Sequence, residues 1–291
     1  MLFVYNRLNC TKRTIEALQK NELANKSELF IYSDAAKNEN DLKKVAKVQE
    51  YIENVDGFKK IIIRKRKVNT GLARSIISGV TKVVNEYGKI IVLEDDLVTS
   101  RYFLRFMNVA LEAYKNEPRV ASIHGYIYPI NNLPETFFIK GADCWGWATW
   151  NNKWSIFERD GKKLLDKVKK KNIEIKIDFN GAYNYTSMLK NQVEGKIDSW
   201  AIRWYISAFL KNMITLYPGR SYVQNIGFSN EGTHTKIKTN LFKINLVDKF
   251  KFSKIPAKED FVSQKKIENF FRSMKMSFIQ KIKFKIISYF K

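Results

Sequence analysis

The feature that most constrains this chain is an alternation over its first hundred residues. Short, wholly apolar runs take turns with stretches of helical periodicity. The runs are Leu2-Phe3-Val4-Tyr5, Leu29-Phe30-Ile31-Tyr32, Ile61-Ile62-Ile63 and Ile90-Ile91-Val92-Leu93. Each has strand length and lacks polar alternation. Between them, Thr11 to Lys20 places Ile15 and Leu18 on one face, and Leu42 to Ile52 places Leu42, Val45, Val48 and Ile52 on one face. A loop at Asn69-Thr70-Gly71 opens a third helix with Leu72, Ile76, Val80 and Val83 inward, and Ser100 predicts the cap of a fourth, running to Tyr114. Strands apolar on both sides must be covered on both faces, and crossover helices do this over a parallel sheet. The fold class is therefore α/β, with a mostly parallel central sheet and helices on both faces.

On such sheets ligands bind beyond the carboxyl ends of the strands. Those ends carry Asn6-Arg7, Asp34 and Glu94-Asp95-Asp96, which are expected to converge on one crevice. Three adjacent acids after a buried strand repel one another and need a cation or hydrogen-bond donors beside them. A divalent ion bridging a diphosphate would meet that need; a solvated acidic turn is the plain alternative. Arg7 reads as a phosphate or base contact, or as a surface arginine. Asp34 reads as an acceptor for a ribose or base N–H, or as a turn residue. Asn69 and Gly71 open a helix whose first N–H groups can face a phosphate.

Composition narrows the chemistry further. The 291 residues hold only two cysteines and two histidines, which excludes a disulfide framework and a Cys- or His-based zinc site. A metal here must sit on carboxylates, which selects Mn²⁺ or Mg²⁺. The net charge of +23 admits nucleic acid, an anionic membrane surface or phosphorylated substrates. No ribonucleoprotein-type motif interleaves the basic residues, which disfavours a nucleic-acid-binding protein. A nucleotidyltransferase on a related fold is a second alternative, but Asn6-Arg7-Leu8-Asn9 lacks the glycine its phosphate loop would need. A third is an inactive sugar-binding module, against which the intact acidic residues and Arg7 argue. No secretory signal is visible and no apolar run reaches the roughly 18–20 residues of a spanning helix, so a cytoplasmic location is expected.

The second half is less regular. Trp145, Trp147, Trp150 and Trp154 cluster around Gly146; most are expected in the core, with one or two lining a site. Asp198, in Ile197-Asp198-Ser199-Trp200, reads as a helix cap or as a general base. His124 lies in an apolar run and is expected to be structural; His234, in a polar loop, could touch a phosphate. Residues 263–291 carry eight Lys/Arg against Glu268 alone, and Ile267, Phe270, Phe271, Met274, Phe278 and Ile282 recur at helical spacing. This predicts a basic amphipathic helix suited to an anionic membrane surface.

Several motifs then fall in a familiar order: Leu2-Phe3-Val4-Tyr5-Asn6-Arg7, Ser33-Asp34, Gly71-Leu72-Ala73-Arg74, Val92-Leu93-Glu94-Asp95-Asp96-Leu97, Gly146-Trp147, Asp198-Ser199-Trp200 and Gly227-Phe228-Ser229. Over roughly residues 1 to 240 this order resembles the nucleotide-sugar glycosyltransferases of the GT-A fold, in particular bacterial sugar transferases similar to N-acetylglucosaminyltransferase I. The resemblance implies that Arg7 and Asp34 hold the nucleotide, and that Glu94 and Asp95 bind the nucleotide sugar. It further implies that Asp96 is the direct ligand of Mn²⁺ and Asp198 the catalytic base, and that Ser229 contacts the diphosphate. The family motif at the base is Trp-Asp-Asp-Trp, of which this chain keeps one acid. The implied activity is an inverting, metal-dependent transfer of a hexose or N-acetylhexosamine from a nucleoside-diphosphate sugar, UDP-linked, to a glycan or lipid-linked acceptor. Bacterial surface polysaccharide or lipopolysaccharide synthesis is the implied setting. The expected organisation is a catalytic domain over 1–245, with a nucleotide-binding half to about residue 98 and an acceptor half from 99. A basic tail over 246–291 would then hold the enzyme to the inner face of the membrane.

Overall fold

A computed structural model of the chain describes residues 1–227 and 241–289, with side chains as far as Lys275 in the last helix. Strands β1 (Leu2–Val4), β2 (Glu28–Ser33), β3 (Lys60–Lys65) and β4 (Lys89–Glu94) are joined by helices α1 (Leu8–Gln19), α2 (Glu39–Glu53) and α3 (Leu72–Tyr87). The four strands run parallel in the order β3-β2-β1-β4. Successive residues of a strand point to opposite faces, and here both faces are covered. Leu2 and Val4 join Ile15 and Leu18 of α1 and Val48 and Ile52 of α2 in one apolar layer. Phe3 points the other way, into a layer with Ile76, Val80 and Val83 of α3. Leu42 and Leu72, expected on inward faces, are exposed. Each lies in the first turn of its helix, which starts beyond the carboxyl ends of the strands.

After β4 the chain makes a short strand, β5 (Leu97–Thr99), and α4 (Phe103–Ala113), and then returns to the same sheet with β6 (Val120–His124), β7 (Thr136–Lys140) and β8 (Trp147–Trp150). Helices α5 (Asn151–Trp154), α6 (Gly161–Lys170), α7 (Glu174–Ile177), α8 (Tyr185–Val193) and α9 (Trp200–Leu210) follow, then β9 (Ile214–Pro218) and β10 (Val223–Asn225). The eight-stranded sheet has the order β3-β2-β1-β4-β8-β6-β9-β7, and only β8 and β7 run against the rest. One sheet therefore carries both halves. β10 pairs antiparallel with β5 outside it. Ser100 does not cap α4 as expected; its hydroxyl accepts the Tyr102 N–H at 3.1 Å, and the helix starts only at Phe103. The three residues of β5 are too few to show periodicity, and a turn at Ser100, whose carbonyl accepts the Phe103 N–H at 3.1 Å, precedes the helix. His124 is buried between the Tyr126 and Tyr217 rings. Burial pushes its pKa down to about 3, so it stays neutral.

The last helix, α10 (Phe261–Tyr289), is not separate from the domain over its described side chains. Ile267 and Phe271 are 1% exposed and lie in a third apolar layer with Leu164, Val168, Phe179 and Ile206. Glu268 is buried at the same contact. It accepts from Asn180 Nδ2 at 3.0 Å and pairs with Lys265 at 2.8 Å and Arg272 at 3.0 Å. The segment before the helix is also fastened. The Asp260 N–H donates to the Phe138 carbonyl at 2.8 Å, and the Tyr114 hydroxyl donates to the Ile255 carbonyl at 3.0 Å. Packing thus runs through the boundary expected at 245, and two residues of the face expected to meet a membrane are taken up by the core. Helical spacing identifies an apolar face but not what covers it. The side chains of Phe278 and Ile282 lie outside the described residues. Among those described, no helix is long and apolar enough to cross a membrane. Phe271→Ala is expected to cost about 3–5 kcal/mol, as for other buried aromatic truncations, measured by urea denaturation. Unchanged stability would mean that the tail is not docked.

Candidate active site

The site is assembled where β1, β2 and β4 end side by side. Arg7 stands between β1 and α1, and β1 pairs with β4, so the acids at the end of β4 come directly to it. Its guanidinium pairs with Asp95 and, from Nη1 to Oδ2 at 3.0 Å, with Asp96. The Thr14 hydroxyl of α1 donates to the Asp95 carbonyl at 2.9 Å and fixes this corner. Glu94 lies beside the Trp200 side chain instead.

The charges do not balance. Burial, then Asp96 and Asp95, push the Glu94 carboxyl up to about 8, against Arg7 and Trp200. Burial pushes Asp95 up to about 6, against the pull of Arg7. Burial also works against the charge on Arg7, but the two aspartates outweigh it and raise its pKa. One oxygen of Asp95, Oδ2, is buried with no hydrogen-bond partner. One guanidinium thus faces three carboxyls in a largely water-excluded corner, which is short of positive charge. Hard oxygen donors with a deficit of this sign fit a divalent cation of the Mn²⁺ or Mg²⁺ class. Among the described residues no group of three His, Cys, Asp or Glu side chains is arranged to hold a metal ion by itself.

The strand β10 closes the corner from the other side. The Ile226 N–H donates to the Asp96 carbonyl at 2.8 Å. A Cβ on Gly227 would run into the Asp96 carboxylate and come within 3.2 Å of Arg7 Nη1, so any other residue there must displace the Asp96 side chain. Ser229 and His234 fall outside the described residues.

Asp34 ends β2 and is buried. Its carboxylate accepts from the Thr70 N–H at 3.0 Å and the Gly71 N–H at 2.8 Å, while Asn69 Nδ2 donates to the Ala35 carbonyl at 2.6 Å. Gly71, at φ +78°, has no side chain to cap α3, and Asp34 ties down the loop just ahead of the helix from the neighbouring strand. The Thr70 and Gly71 N–H groups are thus directed at Asp34 and Asn69 fastens the loop, while the helix proper, whose first N–H groups are expected to face a phosphate, begins at Leu72. Gly71 also meets the other half of the molecule: a Cβ there would lie 3.9 Å from Asp198 Oδ2.

Asp198 does not cap α9. Ser199 does, accepting the Ile202 N–H at 3.3 Å, which leaves the Asp198 carboxylate 65% exposed with Arg203 Nη2 at 3.3 Å from Oδ1. The next residue, Trp200, stacks on Trp147 at 5.3 Å, and Trp147 packs on Trp154. Trp147, Trp150 and Trp154 are core, and Trp145 is half-buried against Tyr126. The tryptophan stack positions Trp200 against Glu94 and Asp198 beside it. Trp200 beside Glu94 is the contact that the sequence reading missed; only its adjacency to Asp198 signalled it.

Neither a family model nor a curated protein matches the sequence. Among solved structures, the chain is similar to a mannosyltransferase from Pyrobaculum calidifontis in complex with GDP-mannose and Mn²⁺. The identity is 12% and the TM-score 0.33, over 44% of this chain and 35% of that one. It is also similar to residues 1–349 of S. aureus TarS, at 9% identity and TM-score 0.42, over 78% of this chain and 60% of that one. The chain thus spans about a third and three fifths of the two structures.

Proposed function

We propose that this protein is a glycosyltransferase that moves a sugar from a nucleoside-diphosphate sugar to a hydroxyl acceptor, with inversion at the anomeric carbon. The observation that carries the reading is the meeting of Arg7, Glu94, Asp95 and Asp96 with Gly227 at one corner, while Asp34 and Asp198 meet at Gly71 close by. An acidic, cation-deficient corner beside a separate exposed carboxylate suits a reaction with an anionic leaving group and a proton to remove. A UDP-linked hexose or N-acetylhexosamine is the proposed donor, and a glycan or lipid-linked hydroxyl the acceptor.

Asp96 is assigned as the direct protein ligand of a divalent ion, with Asp95 and Glu94 lining the same corner. When bound, that ion stabilises the charge developing on the diphosphate as a Lewis acid. Arg7 pairs with Asp95 and Asp96 and aims their carboxylates, and Gly227 leaves room for that of Asp96. Asp34 holds the Thr70–Gly71 loop against the nucleotide end. Asp198 takes the proton from the acceptor hydroxyl as its oxygen bonds to the anomeric carbon from the face opposite the diphosphate. The bond from that carbon to the diphosphate oxygen breaks with its electron pair leaving on the phosphate. The role of Ser229 at the diphosphate and of residues 276–291 at an anionic membrane belong to the same proposal.

A thermal-shift panel of nucleoside-diphosphate sugars with and without Mn²⁺ tests it. At 100-fold over Kd the true donor is expected to stabilise the protein by about 2.7 kcal/mol, which for a chain of this size is several degrees. The Mn²⁺-dependent part should vanish in Asp96→Asn. A panel in which no nucleotide sugar moves the melting curve would sink the reading.

A further inference from the structure

We propose that a cleft between β3 and α3, outside the corner just described, is a second anion site that takes a phosphate-bearing ligand. β3 is the edge strand of the sheet, and its end runs into four consecutive cations, Arg64, Lys65, Arg66 and Lys67. Alternation along the strand puts Arg64 and Arg66 on one face. That face is turned to α3, where Ser78 and Lys82 sit one turn apart. The cleft between them has a volume of about 400 Å³, and its lining contains those four cations, Lys82 and no acid. Lys65 is paired with Glu53 of α2, whereas among the described residues no acid is paired with Arg64, Arg66, Lys67 or Lys82. Like charges gathered around one concave space repel each other, and an anion held between them removes that cost.

Arg66 marks the centre. Its backbone N–H donates to the Ser33 carbonyl at 3.0 Å, and its Nη2 donates to the Ser78 hydroxyl at 2.7 Å, so the side chain is held in place before any ligand arrives. Its Nε is buried and has no acceptor. A fixed guanidinium beside a lysine suits phosphate oxygens, which accept from both. The concave form favours a soluble phosphate or a phosphodiester segment over a bilayer surface. The inner end of the cleft is Thr70, whose N–H holds Asp34, so the site adjoins the main crevice without sharing its charged residues. The proposal does not depend on the sugar-transfer reading.

Binding of inorganic pyrophosphate to the full chain, measured by calorimetry without metal, tests it. Arg66→Gln/Lys82→Gln, and separately the exposed pair Arg64→Gln/Lys67→Gln, should each weaken binding by about tenfold or more, since each removes charge-assisted bonds. Lys43→Gln/Lys44→Gln on α2 makes the same change in net charge and should leave the affinity unchanged. Displacement of pyrophosphate by a nucleoside diphosphate would identify a nucleotide source, and displacement by a glycerophosphodiester a phosphodiester chain; either sustains the site. Equal loss in the α2 control, or no loss in the two cleft pairs, would overturn it. So would uptake of phosphatidylglycerol vesicles with no pyrophosphate binding.

Discussion

Arg7→Gln is expected to lower the stability of the protein by about 3–5 kcal/mol at pH 8, the usual cost of removing one partner from a buried ion pair. The reason is local. Asp95 is 5% exposed and Asp96 15%, and Arg7 is the cation paired with both. Without it two carboxylates stay buried beside Glu94 with nothing to offset them. The sign of the pH dependence follows. Asp95 already has its folded pKa raised, to about 6, and losing Arg7 raises it further. A carboxyl with a raised folded pKa contributes full stability below its unfolded value and loses it as pH rises through the folded one. The deficit of Arg7→Gln should therefore shrink as the pH falls from 8 towards 5. Asp95→Asn in the same chain should recover part of the loss at pH 8. Urea midpoints across this pH range check all three statements, and a deficit that does not change with pH would mean the pair is not what holds the corner.

Much of this corner is legible in the sequence, for a definite physical reason. Leu2–Val4, Leu29–Tyr32, Ile61–Ile63 and Ile90–Leu93 lack polar alternation because helices cover both faces of their strands. Parallel strands put their carboxyl ends on one side, so Arg7, Asp34 and the three acids had to come near one another wherever the exact register fell. What one sequence does not display is pairing between distant segments. The hold of Asp34 on the Thr70 and Gly71 N–H groups depends on the distance between two segments far apart in the chain. β5 and β10 have three residues each and carry no period, yet they bring Gly227 onto Asp96. Trp200 lies beside Glu94 with Trp147, and behind it Trp154, packed against its other side. The apolar stripe of α10 has the composition of a membrane face as much as of a core face, and Phe271 shows which neighbour it found up to Lys275. Charge is similarly ambiguous: the +23 of the chain says nothing of where it gathers, and the β3–α3 cleft is apparent only once Arg66 and Lys82 share a wall.

Asp198→Asn is expected to lower the rate of sugar transfer by about 10²–10⁴-fold, the range for loss of a general base. Two features of the structure make this variant a clean test. Ser199, not Asp198, caps α9, so the helix that carries Trp200 keeps its start. The Asp198 carboxylate is 65% exposed, so an amide of the same shape replaces it without burying an unpaired group. Melting temperature and the stabilisation by nucleotide sugar should then match the unsubstituted protein while turnover falls. A fall in donor binding instead would place Asp198 at the sugar or the nucleotide, in keeping with its closeness to Gly71. An unchanged rate would remove it as the base and leave the transfer without an identified proton acceptor. The stereochemistry of the product completes the argument, because a single displacement with Asp198 as base must invert the anomeric centre. Retention would exclude the single displacement and leave two routes, front-face attack beside the departing diphosphate or a double displacement through a carboxylate bonded to the sugar.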